Sequence, residues 1–490
     1  MTPEPATLID LLAHNATVHA DRPAVFSDGN TWSHAMVHAA VHRQAAALAA
    51  MGVGPGDRVV LVSGNRAEVL VLLGAAAWLG AMLVPLNLRL SSAELAQQSV
   101  DAAPVVAVVD AAGAAPWHAA WPDGMRGTST LTLEEAGPSL ACAGRADAAA
   151  TPRQDAPELG VVMLYTAAVD GQARGAVLAQ SQLMASAEQI GRAWSLAADD
   201  CWLGVLPLFH AAGIGLALAL LRAGGACVLL PRFDPAVAAA AVDRHRVTVC
   251  ATFAPMLGSM LDAAQADGAS LASLRICTGL EPPTTLERLA TMCPAADFWS
   301  TYGQAEVSSI VCLGRRRERP GAAGRALAPS QVRIQDVTGQ PVAVGVPGEI
   351  AICGPTVFLG YWDAERRATF RPVDAWHRTG DLGHLDEDGW LWFAGRAAHK
   401  QLIKTGGENV YPAEVEQVLL AHPSVVEAFV FGRPDERWGE AVHAACALEA
   451  GTLVDEAELI AFVERRLARY KRPHTITIAP APLDRSVSST

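Results

Sequence analysis

From residue 57 to about residue 310, short apolar runs alternate with longer segments in which apolar residues recur at helical spacing. "DRVVLVS" is followed by "RAEVLVLLGAAAWLG", and "ACVLL" is followed by "DPAVAAAAVDRHRV". Continuous runs of Val, Ile and Leu are typical of strands that are covered on both faces, as the strands of parallel sheets are. The pattern therefore predicts an α/β architecture with largely parallel sheets.

Beyond residue 310 the pattern changes twice. Between about residues 330 and 395, strand-like segments are separated by turn signals such as "GQPV", "VPGEI" and "DEDGW", which predict a β-rich subdomain. After Gly395, a polar stretch leads to the helix-like "AEVEQVLLAH", to strands near 425–432 and 441–448, and to a helix near 455–469. We therefore predict a large N-terminal domain of several subdomains over residues 1–395 and a small α+β domain over residues 396–490.

Composition and charge exclude several classes of protein. Hydrophobic residues make up 51% and charged residues 18% of the 490 residues, which is typical of a folded globular chain. A chain of this length is expected to form more than one domain. The formal net charge of -13 argues against a nucleic acid or an anionic membrane surface as a partner, because either would repel the protein.

The cysteines and the apolar segments indicate a cytoplasmic protein. Nine cysteines are scattered without a C-x-x-C pair, and several lie in apolar runs, so we expect reduced thiols in the core. The N-terminal "MTPEPATLIDLLAH" has neither the basic start nor the apolar stretch of a signal peptide. Residues 69–84 are sixteen uncharged residues followed by Pro85, which favours a buried helix and then a strand over a transmembrane segment.

Residues 164–176, "LYTAAVDGQARGA", contain a glycine-marked turn after an apolar run. A phosphate loop needs backbone N–H groups, a cation and usually hydroxyls, because its ligand carries anionic acceptor oxygens. Gly171, Gly175 and Arg174 meet part of this requirement, but the positions from Ala167 to Asp170 supply no hydroxyl. Taken alone, the stretch is better explained as a surface turn from a strand to a helix.

Ordered motifs elsewhere in the chain decide between these interpretations. The second half contains "TYGQAE" at 301–306, "GEIAICGPTVFLGYW" at 348–362, "WHRTGDLG" at 376–383, "GR" at 395–396 and "GGENVYPAEVE" at 406–416. The first half adds "GVGPGDRVVLVSGN" at 52–65, "LGAMLVPLN" at 79–87 and "LPLFHAAG" at 206–213. Together they resemble the acyl-adenylate-forming superfamily, and within it the acyl-CoA synthetases more than luciferases or peptide-synthetase adenylation domains. The resemblance covers nearly the whole chain.

The resemblance implies a reaction in two steps. A carboxylate and ATP form an acyl-adenylate with release of pyrophosphate, and the thiol of CoA then attacks the activated acyl carbon. Residues 166–175 occupy the position of the superfamily's phosphate loop, with Arg174 as its cation. The resemblance further implies that Glu306 binds Mg²⁺, because a carboxylate is a hard oxygen ligand suited to a phosphate-bound ion. Arg174, His210 and Glu306 are the implied catalytic residues.

Further positions match the nucleotide-binding motifs of the superfamily. Tyr302 is expected to lie against the adenine, Asp381 to accept hydrogen bonds from both ribose hydroxyls, and Arg396 to reach the ribose or a phosphate. Outside these motifs, structural roles would explain the same residues as a core aromatic, a turn residue and a surface ion pair. The implied nucleotide-binding set is Thr166, Gly171, Gly175, Gly279, Tyr302, Gly303, Asp381 and Arg396.

The acyl pocket implied by the resemblance is apolar. Phe209 and His210 match an aromatic–histidine pair at the mouth of the carboxylate pocket, and Gly213 lies on the helix that follows. Apolar walls favour a small to medium apolar acid over a polar or dicarboxylic one, although core packing would explain the same residues. The implied substrate-contacting residues are Phe209, Gly213, Phe253, Leu280 and Val307.

The "GGENVYP" loop is the implied CoA site. Gly406, Gly407, Glu408 and Tyr411 would line the path of the pantetheine arm, after the small, mobile domain has swung this loop to the active site. The hinge for that movement is expected at about residues 396–401. Lys400-Gln401 stands there in place of the Lys-Asp pair that relatives often carry. A hinge needs only a few positions that absorb the rotation, so the change does not exclude it.

The chain departs from the family pattern at positions that serve the phosphates. Hydroxyls that relatives direct at the phosphates are replaced at Ala167, Val169, Asp170 and Ala305. A hydrogen bond to a charged group is worth about 1.5–3 kcal/mol, so ATP should be held less tightly. Relatives also carry a lysine that serves adenylation where this sequence has Thr490. We therefore expect adenylation to be weakened.

These observations lead to one predicted function and two alternatives. We predict a cytoplasmic, AMP-forming acyl-CoA ligase that uses ATP, Mg²⁺ and CoA to activate an apolar carboxylic acid. A non-catalytic homologue that binds nucleotide or acyl-CoA is the first alternative, favoured by the depleted phosphate loop. An adenylating enzyme with an acceptor other than CoA is the second. The sequence leaves open which acid is used and which oligomer forms, with a homodimer as one candidate.

Overall fold

The structure of the chain, a computed structural model, describes residues 5–120, 128–133, 157–169, 172–366, 368–370, 376–397, 401–435, 437–449, 451–452 and 454–483. The α-helices in these residues are α1 (Leu8–Val18), α2 (His34–Ala50), α3 (Ala67–Leu79), α4 (Ser92–Ala102), α5 (Ala111–Ala120), α6 (Gln180–Trp194), α7 (Ala211–Arg222), α8 (Pro235–His245), α9 (Met256–Asp267), α10 (Pro283–Met292), α11 (Pro412–Leu420) and α12 (Glu456–Glu464).

The strands of the same residues are β1 (Pro23–Ser27), β2 (Asn30–Ser33), β3 (Arg58–Val62), β4 (Met82–Leu86), β5 (Val106–Val109), β6 (Ser129–Thr132), β7 (Gly160–Val169), β8 (Gln172–Ala179), β9 (Cys201–Gly204), β10 (Ala226–Leu229), β11 (Val249–Phe253), β12 (Ile276–Leu280), β13 (Asp297–Gln304), β14 (Ser309–Arg315), β15 (Gly324–Ala326), β16 (Gln331–Gln335), β17 (Gly348–Cys353), β18 (Gly360–Asp363), β19 (Ala368–Phe370), β20 (His377–Leu385), β21 (Trp390–Arg396), β22 (Ile403–Thr405), β23 (Glu408–Val410), β24 (Val425–Asp435), β25 (Gly439–Leu448) and β26 (Thr475–Ile478).

A thirteen-stranded sheet joins the α/β region and the β-rich region of the sequence. Its strand order is β16-β17-β20-β21-β15-β14-β13-β12-β11-β9-β10-β1-β2. Neighbours from β13 to β1 along this order pair in parallel, whereas those from β13 to β16 pair antiparallel. The predicted α/β fold with a β-rich subdomain is confirmed. The β-rich strands extend the large sheet instead of forming a separate layer.

A second sheet has eight strands in the order β19-β18-β8-β7-β4-β3-β5-β6. Helix α3 crosses from β3 to β4 and is buried at nearly every position, because its sequence is apolar on all sides. The helix and strand predicted for residues 69–84 are therefore both present. No helix in the described part of the chain combines the length and apolar character that a membrane crossing requires.

Three hydrophobic clusters pack on the two large sheets, and one of them places α4 and α5 against the eight-stranded sheet. The main cluster packs residues of α1, α2, α3, α6 and α7 against strands of both sheets. A second cluster packs α8, α9 and α10 against the opposite face of the parallel strands β9 to β12. Eight cysteines fall in the described residues, all of them as free thiols and seven of them buried, as expected for core positions. Cys142 lies outside these residues.

The segment around residues 164–176 differs from the predicted strand-to-helix turn. β7 and β8 form an antiparallel hairpin in which Tyr165 pairs with Gly175 and Thr166 with Arg174. The residues after the turn also pair with β18 and are buried, so they continue as a strand, and α6 begins only at Gln180. The prediction of a helix directly after the turn was wrong. Asp170 and Gly171 lie outside the described residues.

A third sheet belongs to residues 401–483, which we call the C-terminal unit. Its strands follow the order β23-β22-β25-β24, and β26 pairs in parallel with β25. The unit has its own apolar core, which includes Ile403, Val430 and Leu459. The two predicted strands are confirmed. The helix expected near 455–469 ends at Glu464, and a 3₁₀ turn follows at Arg469–Lys471.

Candidate active site

Asp381 lies at the centre of a polar cluster formed by residues of β13, β20 and β21, three strands of the thirteen-stranded sheet. Its Oδ2 accepts hydrogen bonds from the Tyr302 hydroxyl at 2.8 Å and from Gln304 Nε2 at 2.6 Å. Asp381 pairs with Arg396 across β20 and β21, and Arg396 Nε lies 3.5 Å from Asp381 Oδ1. Oδ1 is buried and accepts no hydrogen bond from any described residue. This oxygen therefore fits the role of an acceptor for the ribose hydroxyls of a nucleotide.

The turn from β13 to β14 places the residues of the "YGQAE" motif. A Cβ on Gly303 would lie 1.7 Å from the carbonyl oxygen of Ser309, so only glycine allows the two strands to approach this closely. The pairing register shifts between Tyr302 and Gly303, which marks an irregularity in the ladder. The close approach fixes where the chain leaves the sheet, and it holds Gln304 and Glu306 beside Asp381 and β18.

Glu306 is a buried carboxylate with a fixed orientation. It lies in the 3₁₀ turn Ala305–Val307, and its Oε1 accepts a hydrogen bond of 2.8 Å from the Tyr361 hydroxyl. The Arg174 guanidinium lies over the Tyr361 ring, 5.5 Å from the centroid. Tyr361 in β18 thus connects the implied metal ligand with the implied phosphate-loop cation. Sequence reasoning missed this residue, although it is part of the quoted "GYW" motif.

The donor set around Glu306 fits a magnesium ion that also binds phosphate. Mg²⁺ is usually held by one or two carboxylates, with waters and substrate phosphates as its other ligands. No group of three or more His, Cys, Asp or Glu side chains with the arrangement of a metal site occurs among the described residues. A single carboxylate at Glu306 is compatible with Mg²⁺ carried by ATP.

The "GGENVYP" loop reaches the same site from the C-terminal unit. β22 and β23 form a hairpin in which Thr405 pairs with Glu408, and Gly406 and Gly407 form its two-residue turn. Both glycines have positive φ, 56° and 85°, as this class of hairpin turn requires. A Cβ on Gly407 would lie 3.5 Å from the Phe253 side chain at the end of β11. The turn therefore packs against the implied acyl pocket.

Glu408 joins the C-terminal unit to the large sheets through buried polar contacts. Its carboxylate accepts hydrogen bonds from Arg89 Nη1 at 2.5 Å and Asn87 Nδ2 at 3.1 Å. His210 Nε2 lies 3.5 Å from Glu408 Oε2. Burial opposes ionisation of Glu408, but the contacts with His210 and Arg89 outweigh it and lower the pKa to about 2. Glu408 is therefore charged at neutral pH. Its partners Arg89, Asn87 and His210 all lie outside the C-terminal unit, so these contacts depend on how the unit docks against the large sheets.

Phe209, His210 and Gly213 come together at the beginning of α7. His210 is the N-cap residue of α7, and the Phe209 and His210 rings lie 4.7 Å apart. A Cβ on Gly213 would lie 2.2 Å from the carbonyl oxygen of Pro207, so the first helical turn packs directly on the preceding turn. This packing directs His210 towards Glu408. The structure thus places the predicted carboxylate-pocket histidine beside the implied CoA loop.

The other predicted pocket residues differ in how far they are exposed to solvent. Phe253 is half-buried beside the Gly407 turn. Leu280, at the end of β12, is 58% exposed, whereas Val307 is completely buried in the main hydrophobic cluster. A Cβ on Gly279 would lie 1.7 Å from the carbonyl oxygen of Thr252, so this glycine permits the close pairing of β11 and β12. For Val307, the structure matches the alternative of core packing.

Two further residues of the C-terminal unit lie near Asp381 and Glu306. Lys404 Nζ lies 5.9 Å from the centroid of the Phe253 ring, and burial, followed by the charge of Arg396, lowers its pKa. Tyr411 is buried, which raises its pKa, and it experiences the charges of Glu306, Arg396 and Asp381. Tyr411 was assigned to CoA from its motif. Lys404 lies outside the predicted set, and its placement depends on how the C-terminal unit docks.

The described phosphate-loop residues lie near the turn of the β7–β8 hairpin. Thr166 and Arg174 are exposed or partly exposed, and Thr166 Oγ1 lies 3.5 Å from the Arg174 carbonyl oxygen. Gly175 lies within β8, where a Cβ would collide with Met163 Sδ at 2.5 Å. A larger residue at position 175 would therefore require the Met163 side chain to shift, independently of any ligand. Gly171, the remaining predicted loop glycine, lies outside the described residues.

Comparison with known proteins finds one family match in the large sheets and another in the C-terminal unit. The family described as AMP-binding enzyme matches residues 12–362. The chain belongs to this family. The C-terminal domain of AMP-binding enzymes matches residues 414–488, in the C-terminal unit and the residues that follow it.

Relatives of known activity specify the class of reaction. The indoleacetate–CoA ligase of Aromatoleum aromaticum is 33% identical over 483 residues, which cover 96% of this chain and 93% of the relative. The chain is an AMP-forming acid–thiol ligase, as its relatives are.

Two structures of one relative bear on the arrangement of the C-terminal unit. A double mutant of o-succinylbenzoate CoA synthetase from Bacillus subtilis, bound to its product analogue OSB-NCoA, has a TM-score of 0.82 at 29% identity, covering 97% of this chain and 96% of the other. The same synthetase in complex with AMP has a TM-score of 0.70 at 28% identity, covering 98% and 96%. Over the whole chain, the structure is therefore more similar to the complex with the CoA product analogue.

Proposed function

We propose that this protein activates an apolar, aromatic carboxylic acid with ATP and transfers the acyl group to CoA. The aromatic character is supported by the acids named for its relatives, indoleacetate and o-succinylbenzoate, and by Phe209 and Phe253 at the site. The proposal includes Mg²⁺ as cofactor, a cytoplasmic location, and the division into residues 1–395 and 396–490. The composition of the chain, with mostly buried free thiols, supports the cytoplasmic location.

In the first half-reaction, side chains of the large sheets would bind ATP. Asp381 Oδ1, buried without a hydrogen-bond donor from the described residues, would accept both ribose hydroxyls, and Arg396 would reach the ribose or the phosphate. Glu306 would hold Mg²⁺, which when bound offsets the negative charge of the phosphates. Arg174, over Tyr361, would contribute a fixed positive charge next to Glu306.

The second half-reaction is supported by one observation above all, the docking of the "GGENVYP" loop at this site. Gly407 packs on Phe253, Glu408 binds Arg89 and Asn87, and Tyr411 lies within the electrostatic reach of Glu306. A loop with two glycines exposes its backbone to a narrow ligand such as a pantetheine arm. We infer that the docked arrangement is the one that transfers the acyl group to CoA.

We propose further that adenylation is the slower half-reaction. Ala167, Val169, Asp170 and Ala305 replace hydroxyls that relatives direct at the phosphates, and Thr490 replaces their adenylation lysine. Asp170 and Thr490 lie outside the described residues. By contrast, the residues of the CoA loop retain the pattern of the superfamily. A site with this composition should transfer a supplied acyl-adenylate better than it makes one.

A screen of aromatic and aliphatic carboxylic acids tests the proposed substrate class. Each acid is incubated with ATP, Mg²⁺ and CoA, and AMP and acyl-CoA are measured by mass spectrometry. We expect equal amounts of AMP and thioester, with aryl acids ahead of aliphatic acids of similar size. Nucleotide and CoA binding without turnover of any acid would favour a non-catalytic homologue. AMP formation without thioester would favour a different acceptor.

We predict that Tyr361→Phe slows adenylation by about 10- to 100-fold. The variant keeps the ring beside Arg174 but removes the hydroxyl that orients Glu306, and a hydrogen bond to a charged group contributes about 1.5–3 kcal/mol. The rate of acyl-adenylate formation is measured as a function of Mg²⁺ concentration. Tyr165→Phe is a matched control, because its hydroxyl binds Asp101, which is not a site residue. An equal loss in both variants would contradict the role of Tyr361.

We predict that Glu408→Gln slows thioester formation from supplied acyl-adenylate by about 10- to 100-fold. The amide keeps the size of the side chain but loses the charge that binds Arg89 and His210. Adenylation should change much less, because Glu408 belongs to the C-terminal unit. The control is Asp200→Asn, which weakens the ion pair of the buried Asp200 with the partly exposed Arg275, outside the C-terminal unit. A parallel loss of both half-reactions in Glu408→Gln would contradict the prediction.

A further inference from the structure

A buried cluster of three charged side chains lies between α4 and the C-terminal unit. Lys471 Nζ lies 2.5 Å from Glu94 Oε1 and 2.7 Å from Glu414 Oε1. The side chains of Lys471 and Glu94 are 9% and 7% exposed. Glu94 belongs to α4, whereas Lys471 and Glu414 belong to the C-terminal unit. The cluster therefore exists only when the unit is docked as in this structure, and none of its members contacts Asp381 or Glu306.

Glu94 makes its other contacts at the same junction. Its Oε2 accepts a hydrogen bond from the backbone N–H of Ser91 at 2.8 Å, which caps α4, and another from the backbone N–H of Ala468 at 2.7 Å. Ser91 Oγ donates to the Arg466 carbonyl oxygen at 2.8 Å. One carboxylate thus uses both oxygens to hold the beginning of α4 and the segment 466–471 of the C-terminal unit together.

The cluster is continuous with the contacts of the CoA loop. Asn87 and Arg89 bind Glu408, and Ser91 and Glu94, a few residues further along, bind the segment 466–471. A single stretch, residues 87–94, therefore contacts the C-terminal unit at two separate places. Because two separated contacts fix a rotation as well as a position, this stretch determines how the "GGENVYP" loop faces the site.

The charges of the cluster make its separation unfavourable. Burial by itself would lower the pKa of Lys471, but the charges of Glu94 and Glu414 outweigh burial and raise it. Burial raises the pKa of Glu414 even though Lys471 opposes this effect, and the charge of Glu94 adds to it. Without Lys471, two carboxylates would face each other in a buried interface, which is strongly destabilising. Loss of a charge from this cluster is therefore expected to weaken the docking of the C-terminal unit.

We propose that Glu94 and Lys471 are positioning residues for thioester formation, acting as an interdomain latch through the placement of the "GGENVYP" loop. The inference rests on the proposed function, in which the C-terminal unit is docked differently for adenylation. The latch closes in the arrangement that serves CoA and opens when the unit rotates away. Its strength sets the fraction of time that the unit spends in the docked arrangement.

Single-turnover rates of the two half-reactions test the latch. Lys471→Met is expected to slow thioester formation from supplied acyl-adenylate by about tenfold or more, and to leave adenylation within about twofold or raise it. Glu94→Gln should have a smaller effect in the same direction, because Lys471 keeps Glu414. The double variant should lose less than Lys471→Met alone, because one carboxylate fewer is left without a partner.

A matched control separates positioning from general stability. Arg275→Met removes the ion pair between the partly exposed Arg275 and the buried Asp200, both of which lie outside the C-terminal unit. It should lower the midpoint of thermal unfolding without changing the ratio of the two half-reaction rates. If Lys471→Met and Glu94→Gln lower both rates in proportion, as a merely structural loss would, the latch is contradicted.

A distance measurement keeps the test independent of the proposed function. Donor and acceptor dyes are attached through unnatural amino acids at Val237 and Val426, which are exposed on α8 and β24. Lys471→Met, or the milder Lys471→Arg if the first variant does not fold, should shift the distance distribution away from the docked value. An unchanged distribution would overturn the latch. Absence of thioester formation in the wild type, by contrast, would overturn the proposed function and leave this measurement informative.

Discussion

Asp381→Asn is expected to lower ATP-dependent acyl-adenylate formation by about 10²–10⁴-fold. The carboxylate would accept two ribose hydroxyls, and each hydrogen bond to a charged group contributes about 1.5–3 kcal/mol, although two such losses do not simply add. Asparagine would also direct a donor, instead of an acceptor, at the ribose hydroxyls. Tyr302 and Gln304 both donate to Asp381 Oδ2, so the amide oxygen is held there and the amide NH₂ group replaces the free acceptor, Oδ1.

The effect of Asp381→Asn is measured as kcat/KM for ATP in pyrophosphate release. Asp386→Asn is the matched control, because Asp386 lies five positions further along the same hairpin and binds turn N–H groups and Trp392. It should cost some stability and leave the rate within about twofold. A near-normal rate in Asp381→Asn would remove Asp381 from the nucleotide site, and with it the assignment of the surrounding cluster.

Ser489→Gly combined with Thr490→Lys is expected to raise the rate of adenylation by about 10²–10³-fold. Relatives carry Gly-Lys at these positions, and the lysine stabilises charge between the carboxylate and the α-phosphate. One preplaced donor of this kind typically contributes about 2.7–4 kcal/mol to the transition state. Both positions lie outside the described residues, so the prediction rests on the sequence resemblance. Thioester formation from supplied acyl-adenylate should stay unchanged, because it uses the docked arrangement.

The control for the added lysine is Ser489→Gly with Thr490→Met. Methionine has comparable length and no charge, so it should leave adenylation at the wild-type rate. An equal gain from methionine would assign the effect to packing instead of charge. If adenylation is already fast in the wild type and lysine adds nothing, another cation acts in its place, and Arg174 and Lys404 are the nearest candidates by sequence and by location.

Local sequence patterns were sufficient to predict most elements of the fold. Residues 69–84 are apolar on every side of a helix and then reach a proline, and a buried helix followed by a strand satisfies both features. The hairpin at residues 160–179 was missed, because its second strand reads as the beginning of α6 until its pairing with β18 is known. Strand pairing between residues far apart in sequence is not encoded in the local pattern.

The site was predictable where its members belong to motifs, and unpredictable where they depend on docking. Asp381 and Arg396 pair across the neighbouring strands β20 and β21, and Tyr302, on β13 of the same sheet, reaches Asp381 with its hydroxyl. The partners of Glu408 and of Lys471, however, are Arg89 and Glu94, more than 300 residues earlier in the chain. Their side chains are ordinary surface charges in the sequence. They become buried partners only when the C-terminal unit docks, which no periodicity or spacing indicates.

Single-turnover measurement of both half-reactions in the wild-type protein tests the central claim most directly. An aryl acid that turns over is mixed with ATP and Mg²⁺ to follow acyl-adenylate formation, and its chemically prepared adenylate is mixed with CoA to follow thioester formation. We expect the thioester step to be faster than adenylation by about 10²–10³-fold, the contribution of one missing cationic donor. Adenylation at the same rate or faster, or no thioester from any supplied acyl-adenylate, would contradict the account.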